Sequence, residues 1–576
     1  MYIPDLAPVG GSLVASAIIA ALPLLTVFIA LGVLRWKAHW SGLAGLLVAL
    51  VVAIAAYRMP VELAFLSGTE GFVFGIFPIM WIVINAIWLY ELTVASGRFE
   101  DLRRVINGVS DDPRIQAIII AFCFGGLLEA LAGFGAPVAI TGVMLMAVGF
   151  TALRAAAVVL LANTAPVAFG AIATPIITAG KLTDIDYHDI GAMVGHQTPL
   201  LAVFVPTFLV LLADGRRGLR DVWPIAVVVG VAFAVTQWVS ATFISVELTD
   251  IIASLVSLAV AVVMLRFWQP TGGTAAAERL GVERRNELTA LGEDVNDGGV
   301  QRTSGATRVT GGGGVAAVAG PAVDDEALGA RRTLMALFPY LLVIVVFAVA
   351  KLLTPVKSFL ADTDVTINWP GLDGQIATAS GKVSTSTQYA FGWLSSPGTL
   401  LLISGVIVAL VYRLSLVEAG RIWVANVVKM RYSILTVAAV LALAYVMNQS
   451  GQTITIGTWI AGAGAAFAFL SPILGWLGTA VTGSDTSANA LFATLQQTAG
   501  QKAGIDPTLL VAANTSGGVV GKMISPQNLT IAATAVGLLG RESEIFRKVI
   551  WWSIGLLIAL CLLVGLQSTV LSWMVP

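Results

Sequence analysis

The sequence predicts an all-α polytopic membrane protein of about 12 transmembrane helices plus two re-entrant hairpins, arranged as an inverted repeat. Three observations carry the prediction. Charge is scarce, apolar runs of single-helix length recur along the whole chain, and two longer runs are broken by glycine at corresponding places. Of the 576 residues, 57% are hydrophobic and 11% charged, whereas a soluble domain carries about 25% charged residues. A formal net charge of −1 offers no electrostatic footprint for nucleic acid. The two cysteines, Cys123 and Cys561, each sit in an apolar run and make neither a disulfide framework nor a metal site. His39, His188 and His196 are dispersed without metal-ligand spacing, and no P-loop lysine motif is present. No cofactor, metal or enzymatic activity is expected, and the chain by itself would not couple transport to ATP.

Met1 to Gly11 carries Asp5 and no basic residue, so the first apolar run reads as a permanent span rather than a cleaved signal. Apolar runs follow at about 12–34, 40–57, 72–95, 114–150, 153–180, 190–213, 221–243 and 247–266, and again at 333–350, 397–412, 432–449, 454–500, 507–535 and 546–572. Most suit one helix, which needs about 20 residues to cross a bilayer. Runs 114–150 and 454–500 are too long for one. The first breaks at Ala132-Gly133-Phe134-Gly135-Ala136-Pro137, the second at Thr482-Gly483-Ser484-Asp485. Each reads either as two full spans or as a hairpin that turns back at membrane depth.

Loop charge sets the orientation. With each broken run treated as a hairpin, Arg35 and Lys37, Arg98, Arg103 and Arg104, Arg216, Arg217 and Arg220, Arg413, Arg421, Lys429 and Arg431, and Arg541, Arg547 and Lys548 fall inside. Asp184, Asp186 and Asp189, Glu247 and Asp250, and Asp362, Asp364 and Asp373 fall outside. Lys181, Lys351 and Lys357 run against the trend. Both termini are then outside. Residues 268–332, rich in Gly, Ala, Thr and Arg, read as a disordered cytoplasmic linker. Residues 354–395, with Thr/Val/Ile alternation and glycine turns, read as a small β-rich external cap. The chain divides into a first transport repeat (1–213), connecting helices (214–267), the linker (268–332), a second, inverted repeat (333–545) and a last helix (546–576).

The repeat is visible in the residues. At an offset of about 350, Ala162-Asn163-Thr164 meets Ala513-Asn514-Thr515, Gly170 meets Gly521, Thr174 meets Ser525 and Pro175 meets Pro526. With one residue of slip, Gly125, Leu127, Ala130 and Gly133 fall on Gly475, Leu477, Ala480 and Gly483, and further out Ser96-Gly97 falls on Ser450-Gly451. An odd number of crossings between the halves inverts one relative to the other. Paired discontinuous helices in inverted repeats are how secondary transporters build a midplane site, because non-helical backbone at that depth must line a protein cavity.

Charged groups within the spans are costly and therefore informative. Glu129, four residues before Gly133, reads as a proton-coupling group or as a structural carboxylate bonded to a helix end. Asp485 reads as a helix cap, as a pocket residue or as both. Lys522, whose repeat partner is Ala171, lies in the most polar stretch of any span, with Asn514, Thr515, Gly517, Gly518, Ser525, Pro526, Gln527 and Asn528. A cation among exposed N–H groups suits a small carboxylate; the alternative is a counter-ion for Asp485 or Glu129. His196 reads either as a proton relay or as a hydrogen-bonded core histidine.

Glu129-Ala130-Leu131-Ala132-Gly133-Phe134-Gly135-Ala136-Pro137-Val138-Ala139-Ile140, Thr482-Gly483-Ser484-Asp485-Thr486-Ser487-Ala488-Asn489 and Ala513-Asn514-Thr515-Ser516-Gly517-Gly518-Val519-Val520-Gly521-Lys522-Met523-Ile524-Ser525-Pro526-Gln527 resemble the signature segments of the bacterial L-lactate permease family. The resemblance covers nearly the whole chain apart from the two soluble inserts. It implies proton symport of L-lactate, D-lactate and glycolate across the bacterial inner membrane, and leaves an oligomer open. It also implies a fold of the ion-transporter superfamily, in which two re-entrant hairpins meet two Asn-Thr-bearing broken helices. Dicarboxylate relatives carry Ser-Asn-Thr at each hairpin tip for carboxylate and sodium. The first tip here, Gly133-Phe134-Gly135, has no polar side chain, which favours protons over the alternative of sodium coupling. The expected substrate contacts are Gly133, Gly135, Asn163, Thr164, Ser484, Thr486, Asn514, Thr515, Ser516, Gly517 and Lys522. The expected proton-coupling residues are Glu129, Asp485 and His196.

Overall fold

The computed structural model describes residues 1–131, 133, 135–290, 329–377, 383–384 and 387–576. Apolar composition and the scarcity of charge make almost every element a helix, because in lipid only intrahelical bonding satisfies the backbone of a lone segment. Ten helices among the described residues are long and apolar enough to cross a membrane. The count becomes eleven if Ala152–Ala162 and Val167–Thr183, bent by 65° across a short break, make one span. The chain is therefore an all-α polytopic membrane protein, with ten or eleven span-length helices among the described residues where twelve crossings were expected.

Part of the difference lies in the two long runs. Run 114–150 forms a helix over Pro113–Leu131, buried throughout its length, followed by the shorter Ala136–Ala147. Run 454–500 forms Gln452–Thr482, a turn at Gly483 and Ser484, and Asp485–Ala503. This last helix is not apolar: Asp485, Asn489 and Gln496 are all buried within the protein. Elsewhere neighbouring runs fuse. The helix Val205–Val239 joins runs 190–213 and 221–243 through a break at Gly215 (φ 70°, ψ −158°).

Left-handed backbone falls where the repeat aligns. Gly97 (φ 74°) corresponds to Gly451 (φ 91°), and Gly133 (φ 48°) to Gly483 (φ 79°). Ala171, Ile172 and Ala173, at φ 45°, 57° and 55°, correspond to the short 3₁₀ turn Lys522–Ile524 that interrupts Pro507–Gly521 and Pro526–Ala535. Positive φ at three consecutive residues with side chains is unusual, and it places the second half of that helix on a new axis.

Small residues let helices touch backbone to backbone, as expected where lipid supplies no hydrophobic drive. A Cβ on Gly475 would collide with the carbonyl of Asn514, and one on Gly517 with the carbonyl of Pro472. These contacts lock the helix Phe467–Thr482 against Pro507–Gly521.

Three loop expectations change. In the 268–332 segment, Gly273–Ala290 is a helix, tied to the spans by Arg279–Asp214 at 2.7 Å and Arg154–Glu283 at 2.6 Å. Its charges pair with charges at span ends, where a disordered linker was expected; residues 291–328 of that linker lie outside the described residues. Glu247 and Asp250, placed in an external loop, are buried at 1% and 0% exposure. Tyr187 and Ser245 donate to Glu247 at 2.8 Å each. The 354–395 segment contains the helix Thr354–Asp362 and one antiparallel strand pair, Val365–Asn368 with Gln388–Phe391, in which Val365 faces Phe391.

Candidate functional site

Both glycine tips and both broken helices converge on one cavity of about 380 Å3, including space open to the outside. Glu129, Gly133, Val167, Gly170, Ala171, Pro175, Gly483, Ser484, Asp485, Thr486 and Lys522 line it. Each break supplies part of the wall because a helix that stops in mid-protein leaves unbonded polar backbone and room beside it.

Glu129 stands near the end of Pro113–Leu131 and is 2% exposed. Its Oε1 takes the Lys522 ammonium at 2.5 Å, and its Oε2 accepts from Asn163 Nδ2 at 2.9 Å. The carboxylate fits because residue 170 is glycine: a Cβ there would lie 3.0 Å from Oε1. Lys522 comes from the 3₁₀ turn that interrupts the other broken helix, and its side chain is 9% exposed. Asp485 opens the returning arm of the second hairpin, where Ser484 caps by accepting from Ser487 N at 3.3 Å. Its Oδ1 accepts from Thr479 Oγ1 at 3.4 Å, while Oδ2 has no hydrogen-bond partner among the described residues. The Lys522 charge acts on Asp485 as well. Two carboxyls thus face one ammonium in a site largely closed to water.

Six of the expected residues share this lining: Glu129, Gly133, Ser484, Asp485, Thr486 and Lys522. Asn163 joins through its bond to Glu129. The others lie elsewhere. Gly135 packs against Ile531 and Asn528. Thr164 returns its hydroxyl to Leu161 O at 2.7 Å and borders a separate, apolar cavity with Ala165, Thr198 and Val519. Asn514 donates to Asn489 Oδ1 at 2.9 Å, and Thr515 accepts from Asn489 Nδ2 at 2.9 Å. Ser516 donates to Gln197 Oε1 at 2.7 Å, and Gly517 serves helix packing. The half-buried His196 ring meets Ala192 O at 2.7 Å and the Trp238 indole N–H at 3.1 Å.

Val167, Gly170, Ala171, Pro175 and Gly483 line the cavity without being among the expected contacts. The repeat held the signal, since Gly170, Ala171 and Pro175 are the partners of Gly521, Lys522 and Pro526. Asn489 was also missed as a connector: its Nδ2 donates to Pro175 O at 3.1 Å as well as to Thr515, bonding the returning arm of one hairpin to both broken helices. A single buried amide ringed by helix breaks is a recognisable sign of such a role.

Among the described residues, no three His, Cys, Asp or Glu side chains lie close enough together to hold a metal ion. What the cavity offers is an ammonium already engaged by a carboxylate and a second carboxyl, which suits a small anion arriving with a positive charge.

Residues 16–571 match the family described as L-lactate permease. An L-lactate permease of Bacillus subtilis (strain 168) is 39% identical over 588 aligned positions, covering 99% of each chain. A glycolate permease, GlcA, of Escherichia coli (strain K12) is 40% identical over 584 positions, covering 100% of this chain and 98% of its own. An L-lactate permease of Salmonella typhi is 40% identical over 570 positions, covering 98% of each.

Proposed function

Because the chain belongs to the L-lactate permease family, a set of bacterial multi-pass membrane transporters rather than enzymes, we propose that it takes up L-lactate by proton symport through the cavity at Lys522. D-lactate and glycolate, which share the 2-hydroxycarboxylate head, are the further substrates of this reading. The observation that carries it is the buried Lys522–Glu129 pair at 2.5 Å.

At rest the ammonium and the carboxylate neutralise each other. A substrate carboxylate that enters takes Lys522, as a charge-assisted hydrogen bond is the strongest contact the cavity has to give. Glu129 is then a buried carboxylate without its cation, a state that costs several kcal/mol. A proton on Glu129 removes that cost. Substrate and proton therefore bind together or not at all, and neither half-loaded form is stable enough to cross. Asp485, which lines the same cavity as Lys522, repels a second anion and keeps the site from accepting lactate without a proton. The hydroxyl of the substrate meets Asn163, whose amide is freed in part when Glu129 is protonated.

The architecture we favour is the inverted repeat of twelve crossings with two re-entrant hairpins, both termini outside. The matched left-handed residues at 97 and 451 and at 133 and 483, and the matched breaks at 171–173 and 522–524, support it. In alternating access the hairpin-bearing elements shift as a body against the remaining helices, exposing the cavity to each side in turn.

The test is uptake of labelled L-lactate, D-lactate and glycolate into proteoliposomes. An imposed pH gradient, acid outside, drives accumulation on this account. Accumulation driven by a sodium gradient at constant pH, with no response to the pH gradient, would return the chain to a sodium-coupled carboxylate symporter.

A further inference from the structure

The segment Gly125–Leu131 packs against the helix Thr249–Phe267. Gly126 fixes the contact, since a Cβ there would lie 2.6 Å from Ser254 Oγ. One turn further along the first helix is Glu129, and one turn back along the second is Asp250. The two carboxyls therefore belong to the same seam, and they act on each other electrostatically.

Asp250 is fully buried. Its Oδ1 accepts from Gln237 Nε2 at 3.0 Å, and the same amide donates to Ala165 O at 3.1 Å, in the break two residues beyond Asn163. Asp250 Oδ2, Gln237 Oε1 and Ser254 Oγ have no hydrogen-bond partner among the described residues. The charged group of the packed helices that reaches Asp250 is Glu129. Cys123 faces Ser257, further along the helix, and Glu247, in the preceding turn, is bonded by Tyr187 and Ser245. No cation forms an ion pair with Asp250 among the described residues. A carboxylate so placed is costly, whereas a carboxylic acid is not.

We propose that Asp250 is a second proton-holding carboxyl of the transport cycle, exchanging its proton with Glu129 across the seam between the two helices. This rests on the proton-symport reading above. When substrate draws Lys522 away, the O–H bond at Asp250 breaks and one forms at Glu129. The Asp250 anion left behind is supported by the Gln237 amide and by its place in the first turn of Thr249–Phe267, where the helix dipole favours negative charge. On the orientation read from loop charge, Asp250 lies toward the outer side, the side from which lactate enters and from which the cycle restores its proton.

The experiment compares wild type, Asp250→Asn and Asp250→Glu in proteoliposomes. It measures the initial rate of pH-driven L-lactate uptake against external pH, divided by the rate of lactate counterflow at fixed pH. For Asp250→Asn the ratio should fall about a hundredfold, the low end for a lost proton-transfer group, and the pH of half-maximal uptake should move. Asp250→Glu should recover a titrating profile. An unchanged ratio and profile in Asp250→Asn overturns the proposal, as does Asp250→Glu behaving like Asp250→Asn. Loss of folded Asp250→Asn protein, read by its thermal melt in detergent, also overturns it, because an amide replaces a buried acid nearly isosterically. Wild-type vesicles that ignore the pH gradient would instead sink the symport reading itself.

Discussion

Replacing Glu129 by glutamine changes almost no volume and removes one negative charge from the cavity. In the native pocket Lys522 gives a charge-assisted hydrogen bond to Glu129 at 2.5 Å, and any substrate carboxylate must displace it. Such a bond is worth about 1.5–3 kcal/mol net. The ammonium is not orphaned in Glu129→Gln, since Asp485 still lies within its electrostatic reach, and Asn163 keeps a carbonyl to bond in place of Oε2. The competitor for Lys522 is thus removed while its surroundings persist. At 1.4 kcal/mol per factor of ten, the half-saturation concentration for L-lactate counterflow above neutral pH should fall by about tenfold or more, and should no longer depend on pH. The proton that charge balance demanded is no longer demanded, so pH-driven accumulation should vanish while counterflow survives. The assay is paired counterflow and net uptake in proteoliposomes at several pH values. Uphill uptake that persists in Glu129→Gln, or a half-saturation concentration that stays put, would refute the charge-exchange reasoning.

Lys522→Ala should raise the half-saturation concentration steeply and also cost stability, since breaking a buried pair by removing one partner costs about 3–5 kcal/mol. The Lys522→Ala, Glu129→Gln double variant should melt at a higher temperature in detergent than Lys522→Ala alone; a double variant no more stable than the single would contradict the pairing. Gly170→Ala brings a Cβ to 3.0 Å from Glu129 Oε1, so transport should fall while the protein still inserts, and uptake at the wild-type rate would show that the carboxylate is not held there. Gly475→Val meets the Asn514 carbonyl at the hairpin seam and should destabilise by about 1–3 kcal/mol or more, read as a lower melting temperature. Ser484→Ala removes the cap that accepts from Ser487 N and should cost about 1 kcal/mol, a milder loss than Gly475→Val by the same measurement.

Much of the site was legible because membrane burial makes polar residues expensive. Glu129, Asp485 and Lys522 stood out as charges in apolar runs, and the structure gathers all three with Gly133, Ser484 and Thr486. Legibility failed where a residue contributes backbone or room rather than a functional group. Gly170, Ala171 and Pro175 carry no polar side chain, and the left-handed backbone at Ala171 is something that no composition reveals. It failed again for Asn514, Thr515 and Ser516, whose polarity is spent on Asn489 and Gln197; a sequence shows that an amide is buried but not which partner it meets. Orientation-by-charge misjudged Glu247 and Asp250 because span ends tuck into the protein, so an acidic residue beside a loop is not necessarily wet. The helix Gly273–Ala290 was hidden by the same ambiguity in reverse, a charged stretch whose charges are paired with the spans.

The central claim is that lactate takes Lys522 only when a proton takes Glu129. It is tested most directly by following proton and L-lactate movement together in one population of proteoliposomes, with a trapped pH-sensitive dye and labelled substrate. The account predicts that lactate entry acidifies the lumen in proportion to uptake, and that Glu129→Gln abolishes the acidification while exchange continues. Lactate entry without proton entry in the wild type, or unchanged acidification in Glu129→Gln, would contradict it.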